Sequence, residues 1–332
     1  MTESILPIIW YFIICGELGL YILLDGANLG IGILSLFPQK EEERGIMMRL
    51  LGPIWNANET WLLVAAGSLF GAFPLVYAVG LNALYIPAGV ILIGLALRAV
   101  SFEFHAYANN KRFWSGMFGV ASAILVAGQG LALGGLLSGV KVVDGKFAGS
   151  LFDFATPVTF LITIGIFFSY LVLGYAYLIR NSSYQNSNET FPRILIAAGG
   201  TFIALLGATF LLPETNYVFF DRWTMSPTMY YLFALAGVIG FVSVTLAYYV
   251  IKKIHLERVY YLCLGIFVLG ALGMLIGTYP YLLPGSITIF EAASPDSTLS
   301  FMLWGIGPIL PIILLYNFYL HKIFARKTEG GY

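Results

Sequence analysis

The sequence predicts an all-α polytopic membrane protein of about nine spanning helices, with its N-terminus outside and its C-terminus in the cytoplasm. Three observations predict it. Hydrophobic residues make up 59% of the 332 and charged ones 10%, where a soluble domain carries about 25% charged residues. Apolar runs long enough to cross a bilayer recur along the whole chain. Lys and Arg fall almost wholly on alternate connections between those runs. Net charge is zero, which argues against a nucleic acid partner.

Hydropathy windows of about 19 residues place the spans at roughly 6–35, 54–75, 79–101, 114–138, 156–179, 193–213, 228–251, 259–283 and 299–321. The opening MTESILPIIW lacks a basic stretch and a small-residue cleavage site. It reads as the start of the first span and not as a removable signal. That span is over-length, or ends in a tilted, glycine-loosened turn, and Pro38 stops it. Pro53 opens the second, where a missing N–H costs nothing.

Orientation follows from the basic residues. The first connection holds Lys40, Arg44 and Arg49, the third Lys111 and Arg112, the fifth Arg180 and Arg193. The seventh holds Lys252, Lys253 and Arg258, and the tail Lys322, Arg326 and Lys327. That is 13 of the 17 on one side; Lys141, Lys146 and Arg222 lie on the other, and Arg98 is within a span. The positive-inside rule makes the basic side cytoplasmic. The alternation works only for an odd number of spans, which supports nine independently of hydropathy.

Polar residues inside the spans can then be placed by depth, at about 1.5 Å per residue. In the first span, LYILLDGANLGIG carries Asp25 in the cytoplasmic half, Asn28 one turn further, and Glu17 nearer mid-membrane. The second span begins WNANETWL, with Asn56 and Glu59 three apart between Trp55 and Trp61 at interface depth. The third returns inward and brings Arg98 and Glu103 near its cytoplasmic end. Asp25, Asn28, Asn56, Glu59 and Arg98 therefore share one depth on three consecutive helices. A charge facing lipid there costs at least about 2.5–3.5 kcal/mol, so these groups must face each other or water. Two readings stand side by side. One is a structural ion pair of Arg98 with Asp25 or Glu59. The other is a proton relay open to the cytoplasm, since two acids on one base leave an acid free to titrate. Glu17 is either a protonated, hydrogen-bonded acid or a further relay step.

Other features point elsewhere. His105, His255 and His321 fall at cytoplasmic helix ends or loops, and no Met lies beside a buried His, so no haem or metal site is expected on this chain. Cys15 and Cys263 lie in apolar runs without ligand spacing. Gly26, Gly30 and Gly32 form a small-residue face suited to close helix packing. They follow no strand, which excludes a dinucleotide loop. Gln129 and Asn82 read as lone packing residues, and the aromatic loop 214–227 as an interfacial cap.

LLDGANLGIG, the basic loop ending RLLGPIWNANETWL, and the late PGSITIFEAASPDSTLSFMLWG together resemble subunit II of cytochrome bd-type quinol oxidases. The likeness covers essentially the whole chain in order, length and span number. Members of that family usually read DGxDLGxG and WDxNExWL. Here Asn28 and Asn56 stand at the two acidic positions, which leaves Asp25 and Glu59 as the acids.

The resemblance implies two four-helix bundles, here about 6–138 and 156–283, and one peripheral helix at about 299–321. It implies a complex in the prokaryotic cell membrane that oxidises quinol, reduces O2 to water and builds a proton-motive force without pumping. Haem b, haem d and the quinol-oxidising loop belong to subunit I, the partner in a heterodimer. A small single-helix subunit often joins the pair, and some members hold a structural quinone in this subunit. Two other classes are weighed against this. An ion-coupled secondary transporter places charge at broken helices in both halves, whereas here it is confined to the first three spans. A purely structural partner subunit keeps the Arg98 pair and needs no free acid.

Overall fold

The computed structural model describes residues 4–38, 41–51, 55–181 and 190–329, the side chains of 41, 42, 49, 181 and 321–329 excepted. Lys40 and Pro53 lie outside the described residues. The side chains of Arg49, His321, Lys322, Arg326 and Lys327 do so too.

The helices run in order as α1 Leu6–Leu34, α2 Glu41–Leu51, α3 Trp55–Ala72, α4 Pro74–Ala83, α5 Tyr85–Tyr107, α6 Lys111–Leu137, α7 Pro157–Asn181, α8 Thr190–Thr215, α9 Tyr217–Thr224, α10 Thr228–Lys252, α11 Leu256–Thr278, α12 Ile289–Ala292, α13 Asp296–Ile306 and α14 Ile309–Glu329. Two short antiparallel hairpins interrupt them: β1 Val142–Val143 with β2 Lys146–Phe147, and β3 Tyr281–Leu283 with β4 Ile287–Thr288. Among the described residues, eight stretches are long and apolar enough to cross a membrane. The α3–α4 pair passes the same test only when taken together, and it is bent by 119° at Phe73.

Several boundaries differ from the sequence reading. The second span ends at Ala72, because Pro74 has no N–H for the helical ladder and Phe73 leaves helical geometry with φ −134°. The separate helix α4 follows, so the third span starts at Tyr85 and extends to Tyr107. The basic loop contains α2, whose buried Met47, Met48 and Leu51 pack against Leu34. The eighth span stops at Thr278 and gives way to the second hairpin. The aromatic loop 214–227 holds α9. Its N-cap Asn216 accepts from Val218 N–H and donates to the carbonyls of Leu137 and Pro284, so one amide ties three connections at that end of the bundle.

The long first helix is the hub. Its 29 residues would span about 43 Å, against about 30 Å of hydrocarbon. Every residue from Asp25 to Leu34 is buried, and the helix packs on α3, α6, α7, α11 and α13. The glycine face makes this density attainable, though it meets two helices and not one. A Cβ on Gly26 would stand 3.1 Å from Leu173 and Tyr170 of α7, and one on Gly30 would enter the backbone of Tyr170. A Cβ on Gly32 would meet Ser122 and Phe118 of α6. Gly174 of α7 answers Gly30, its own Cβ position lying 2.7 Å from the Gly30 carbonyl carbon. Small residues on both sides let two backbones touch.

α5 packs along α6, α7 along α8, and α10 along α11. Large apolar side chains stay exposed on α8, α10 and α14, among them Phe202, Phe210, Phe233, Phe241 and Leu315. Such stripes require lipid or a partner helix against them.

Candidate functional site

Three helices converge on Arg98. It projects from α5 with no exposed surface, and its two terminal nitrogens fork Asp25 of α1: Nη1 donates to Oδ2 at 2.7 Å and Nη2 to Oδ1 at 2.9 Å. The same Nη1 donates to Glu59 Oε1 of α3 at 2.8 Å. The planar guanidinium suits this, because it presents several donors in a fixed fork where an ammonium is a point charge. The Phe118 ring of α6 lies under it, 5.4 Å from centroid to Cζ, and adds a cation–π contact. Asp25 is wholly enclosed, whereas 13% of the Glu59 side chain is exposed.

Asparagines steady the acids. Asn28 Nδ2 donates to Asp25 Oδ1 at 3.3 Å, one helical turn away. The cross-helix bond comes from Asn58, buried on α3, whose Nδ2 donates to the Leu24 carbonyl at 3.0 Å. The sequence reading chose Asn56 for this place. Asn56 faces outward instead, two residue positions being about 200° around a helix. Glu103 is likewise exposed and does not join the cluster. Trp55 and Trp61 turn into the protein, 7% and 2% exposed, with Trp55 packed on Phe102 at 5.2 Å.

A second polar network adjoins the first. Gln129 of α6 is not a lone packing residue: its Nε2 donates to the Tyr21 hydroxyl at 2.6 Å, and its Oε1 accepts from Tyr170 at 3.1 Å. Tyr170 stacks on Phe267 of α11 at 6.0 Å. Glu17, on α1 two turns from Asp25, accepts from Ser68 of α3 at 3.1 Å. Asn82 donates only to the Ala78 carbonyl of its own turn, the local role expected of it.

Chemically, one guanidinium facing two carboxylates can hold both ionised or leave one to take up and release a proton. Neither His105 nor His255 is among the partners of Arg98, Asp25 or Glu59. His105 is half-buried at the end of α5, and His255 is exposed between α10 and α11. Among the described residues no three His, Cys, Asp or Glu side chains come together.

The comparisons with known proteins agree with this architecture. The family profile described as cytochrome bd terminal oxidase subunit II matches residues 6–324. Cytochrome bd-I ubiquinol oxidase subunit 2 of Escherichia coli (strain K12) is 26% identical over 369 aligned positions, covering 98% of this chain and 96% of that protein. Cytochrome bd ubiquinol oxidase subunit 2 of Bacillus subtilis (strain 168) is 35% identical over 106 residues, 32% of this chain and 31% of that one. A chain of the bd oxidase from Geobacillus thermodenitrificans superposes with a TM-score of 0.81 over 97% of this chain and 99% of its own, at 18% identity. With the family matched along nearly its full length, the chain belongs to the cytochrome bd terminal oxidase subunit II family.

Proposed function

We propose that this chain is the haem-free second subunit of a membrane-bound quinol:O2 oxidoreductase, and that Arg98, Asp25 and Glu59 admit protons to its O2-reducing site. The subunit role follows from the family. The proton role rests on one observation: a single buried guanidinium carries two carboxylates, one of them reaching the surface. Reduction of O2 to water consumes a proton for every electron. Those protons generate a membrane potential when they come from the cytoplasm while quinol protons leave outside.

On this reading the basic loops mark the cytoplasmic side. Glu59 is the exposed acid that meets the proton, Asp25 is the enclosed one, and Arg98 keeps both deprotonated forms soluble in an apolar bundle. Haem b and haem d, which supply the redox chemistry, sit on subunit I. The helix contacts support two four-helix bundles, roughly 6–138 and 156–283, with the final span at the periphery. The exposed apolar faces leave room for subunit I, a small single-helix subunit and lipid.

A structural tie is the competing reading, favoured by the complete burial of the Arg98–Asp25 fork. The two are separated by quinol-dependent O2 uptake, normalised to haem content, in complexes carrying Glu59→Gln or Asp25→Asn. Both amides keep the shape and cannot carry a proton. The proton role predicts turnover per haem lowered tenfold or more with haem spectra unchanged. Wild-type turnover per haem in both variants assigns the cluster to structure alone.

A further inference from the structure

Two buried polar atoms at the contact between α1 and α3, Oε2 of Glu17 and Nε1 of Trp61, meet no protein group, and neither does Nε of Arg98 on α5. These residues are 2%, 2% and 0% exposed. The register of the two helices places them in line. Ser68 donates to Glu17 and Asn58 to the Leu24 carbonyl, so α1 and α3 run antiparallel with those residues opposed. Trp61 shares the buried face of α3 with Asn58 and Ser68 and falls between the two contacts. Arg98 stands at the far end, on Asp25.

Buried donors and acceptors are almost always satisfied, and a lost partner costs as much as a lost hydrogen bond. Water is the small molecule that can accept from Trp61 and Arg98 and also bridge to a carboxyl. Glu17 itself has one donor, Ser68, and among the described residues no cation pairs with it. An ionised carboxylate would leave a full charge stranded there. A carboxylic acid uses both oxygens, the carbonyl accepting from Ser68 and the hydroxyl donating to water.

We propose that Glu17 is a further proton-holding acid of this chain, joined to the Arg98 cluster by a line of bound water along the α1–α3 seam. Glu17, Tyr21 and Asp25 follow at four-residue spacing on one face of α1. The rise from Glu17 to Asp25 is about 12 Å, which roughly four hydrogen bonds of about 2.8 Å cover through roughly three waters. The acid stores a proton in the half of the membrane away from the basic loops and exchanges it with Asp25 and Glu59. That exchange rests on the proton-entry role proposed above; the protonated state of Glu17 does not.

Reduced-minus-oxidised infrared spectra of the purified complex, in H2O and D2O, test this. The expected result is a protonated-carboxyl C=O band that is lost in Glu17→Gln. It moves to higher frequency in Ser68→Ala, which removes the donor, and to lower frequency in D2O. Ser68→Ala is a small change that keeps the test alive if Glu17→Gln does not assemble. A band unaffected by either substitution, or no band, overturns the acid. Trp61→Phe removes one N–H from the water line and should weaken the response of the Glu17 band to reduction at least twofold. An undiminished response overturns the line. Wild-type turnover in Asp25→Asn and Glu59→Gln, with the Glu17 band behaving as expected, assigns the failure to the entry role alone.

Discussion

Arg98 holds Asp25 by two hydrogen bonds and Glu59 by one, so the two acids are unequal partners of the same cation. Arg98→Leu strands both carboxylates in an apolar bundle, a loss of about 3–5 kcal/mol for a broken buried pair. The expected outcome is failure to recover haem-replete complex. Arg98→Lys keeps the charge and loses the fork, and should assemble with a lowered thermal midpoint. A double-mutant cycle should give a larger coupling for Asp25–Arg98 than for Glu59–Arg98. Equal couplings would show that the fork adds nothing.

Gly30 predicts a steep steric threshold. Its α-hydrogens face the backbone of Tyr170 and Gly174, which has no side chain to move aside. Even Gly30→Ala should therefore lower complex yield severalfold, and Gly30→Leu should abolish it, overpacking in a close-packed site costing about 1–3 kcal/mol or more. Gly270→Ala, where a Cβ meets nothing, is the control and should match wild type. Yield of haem-bearing complex after affinity purification decides it. Equal yields for Gly30→Ala and Gly270→Ala would refute the backbone contact.

Replacing His105, His255 and His321 together by Gln should leave the visible haem spectrum of the complex unchanged. His105 and His255 sit at helix ends and not at a facing pair of buried positions. Loss of any haem band in an assembled triple variant would place a haem ligand on this chain.

Glu291 predicts a pH effect outside the spans. The N–H and hydroxyl of Thr288 both donate to it at 2.8 Å in a capping box at the start of α12. The Thr288 backbone bond first, then its hydroxyl, holds the Glu291 carboxyl below the usual carboxylate range. A depressed value contributes stability above the unfolded glutamate value of about 4.3. That contribution fades as pH falls through the lower folded value. Glu291→Gln should lower the thermal midpoint by about a degree or two near neutrality, and the gap should close in acid. A gap that widens on acidification would reverse the sign and the assignment.

Much of this was legible in the sequence because depth is a one-dimensional quantity. Hydropathy and basic loops give each residue a height, and height alone brought Asp25, Glu59 and Arg98 to one level. Rotation about each helix axis is not written so plainly. Asn56 and Asn58 sit at almost the same height, and only the position of α1 decides which turns inward. Trp55 and Trp61 were read as interface residues for the same reason and are packed inside. Gln129 carries no mark of its partners, since Tyr21 and Tyr170 are 108 and 41 residues away. Pro74 was a visible breaker, but an average over a long window blurs a single missing N–H. The loop holding α2 looked polar because its charged residues outnumber the apolar face that packs on α1.

The bend and the glycine contacts together bear on how the chain can move. Carriers work by rocking one half against the other, which needs a lubricated seam between the halves. Here α1 presses backbone to backbone on α7 through Gly30 and Gly174, while Gly32 locks the same helix against α6. At the Gly30–Gly174 crossing there is no rotamer to repack, so any shift there must break backbone contact. α1 is therefore bolted to both α6 and α7. On the proton-entry reading proposed above, a proton crosses such a frame by hopping between fixed stations and not by riding on a moving part.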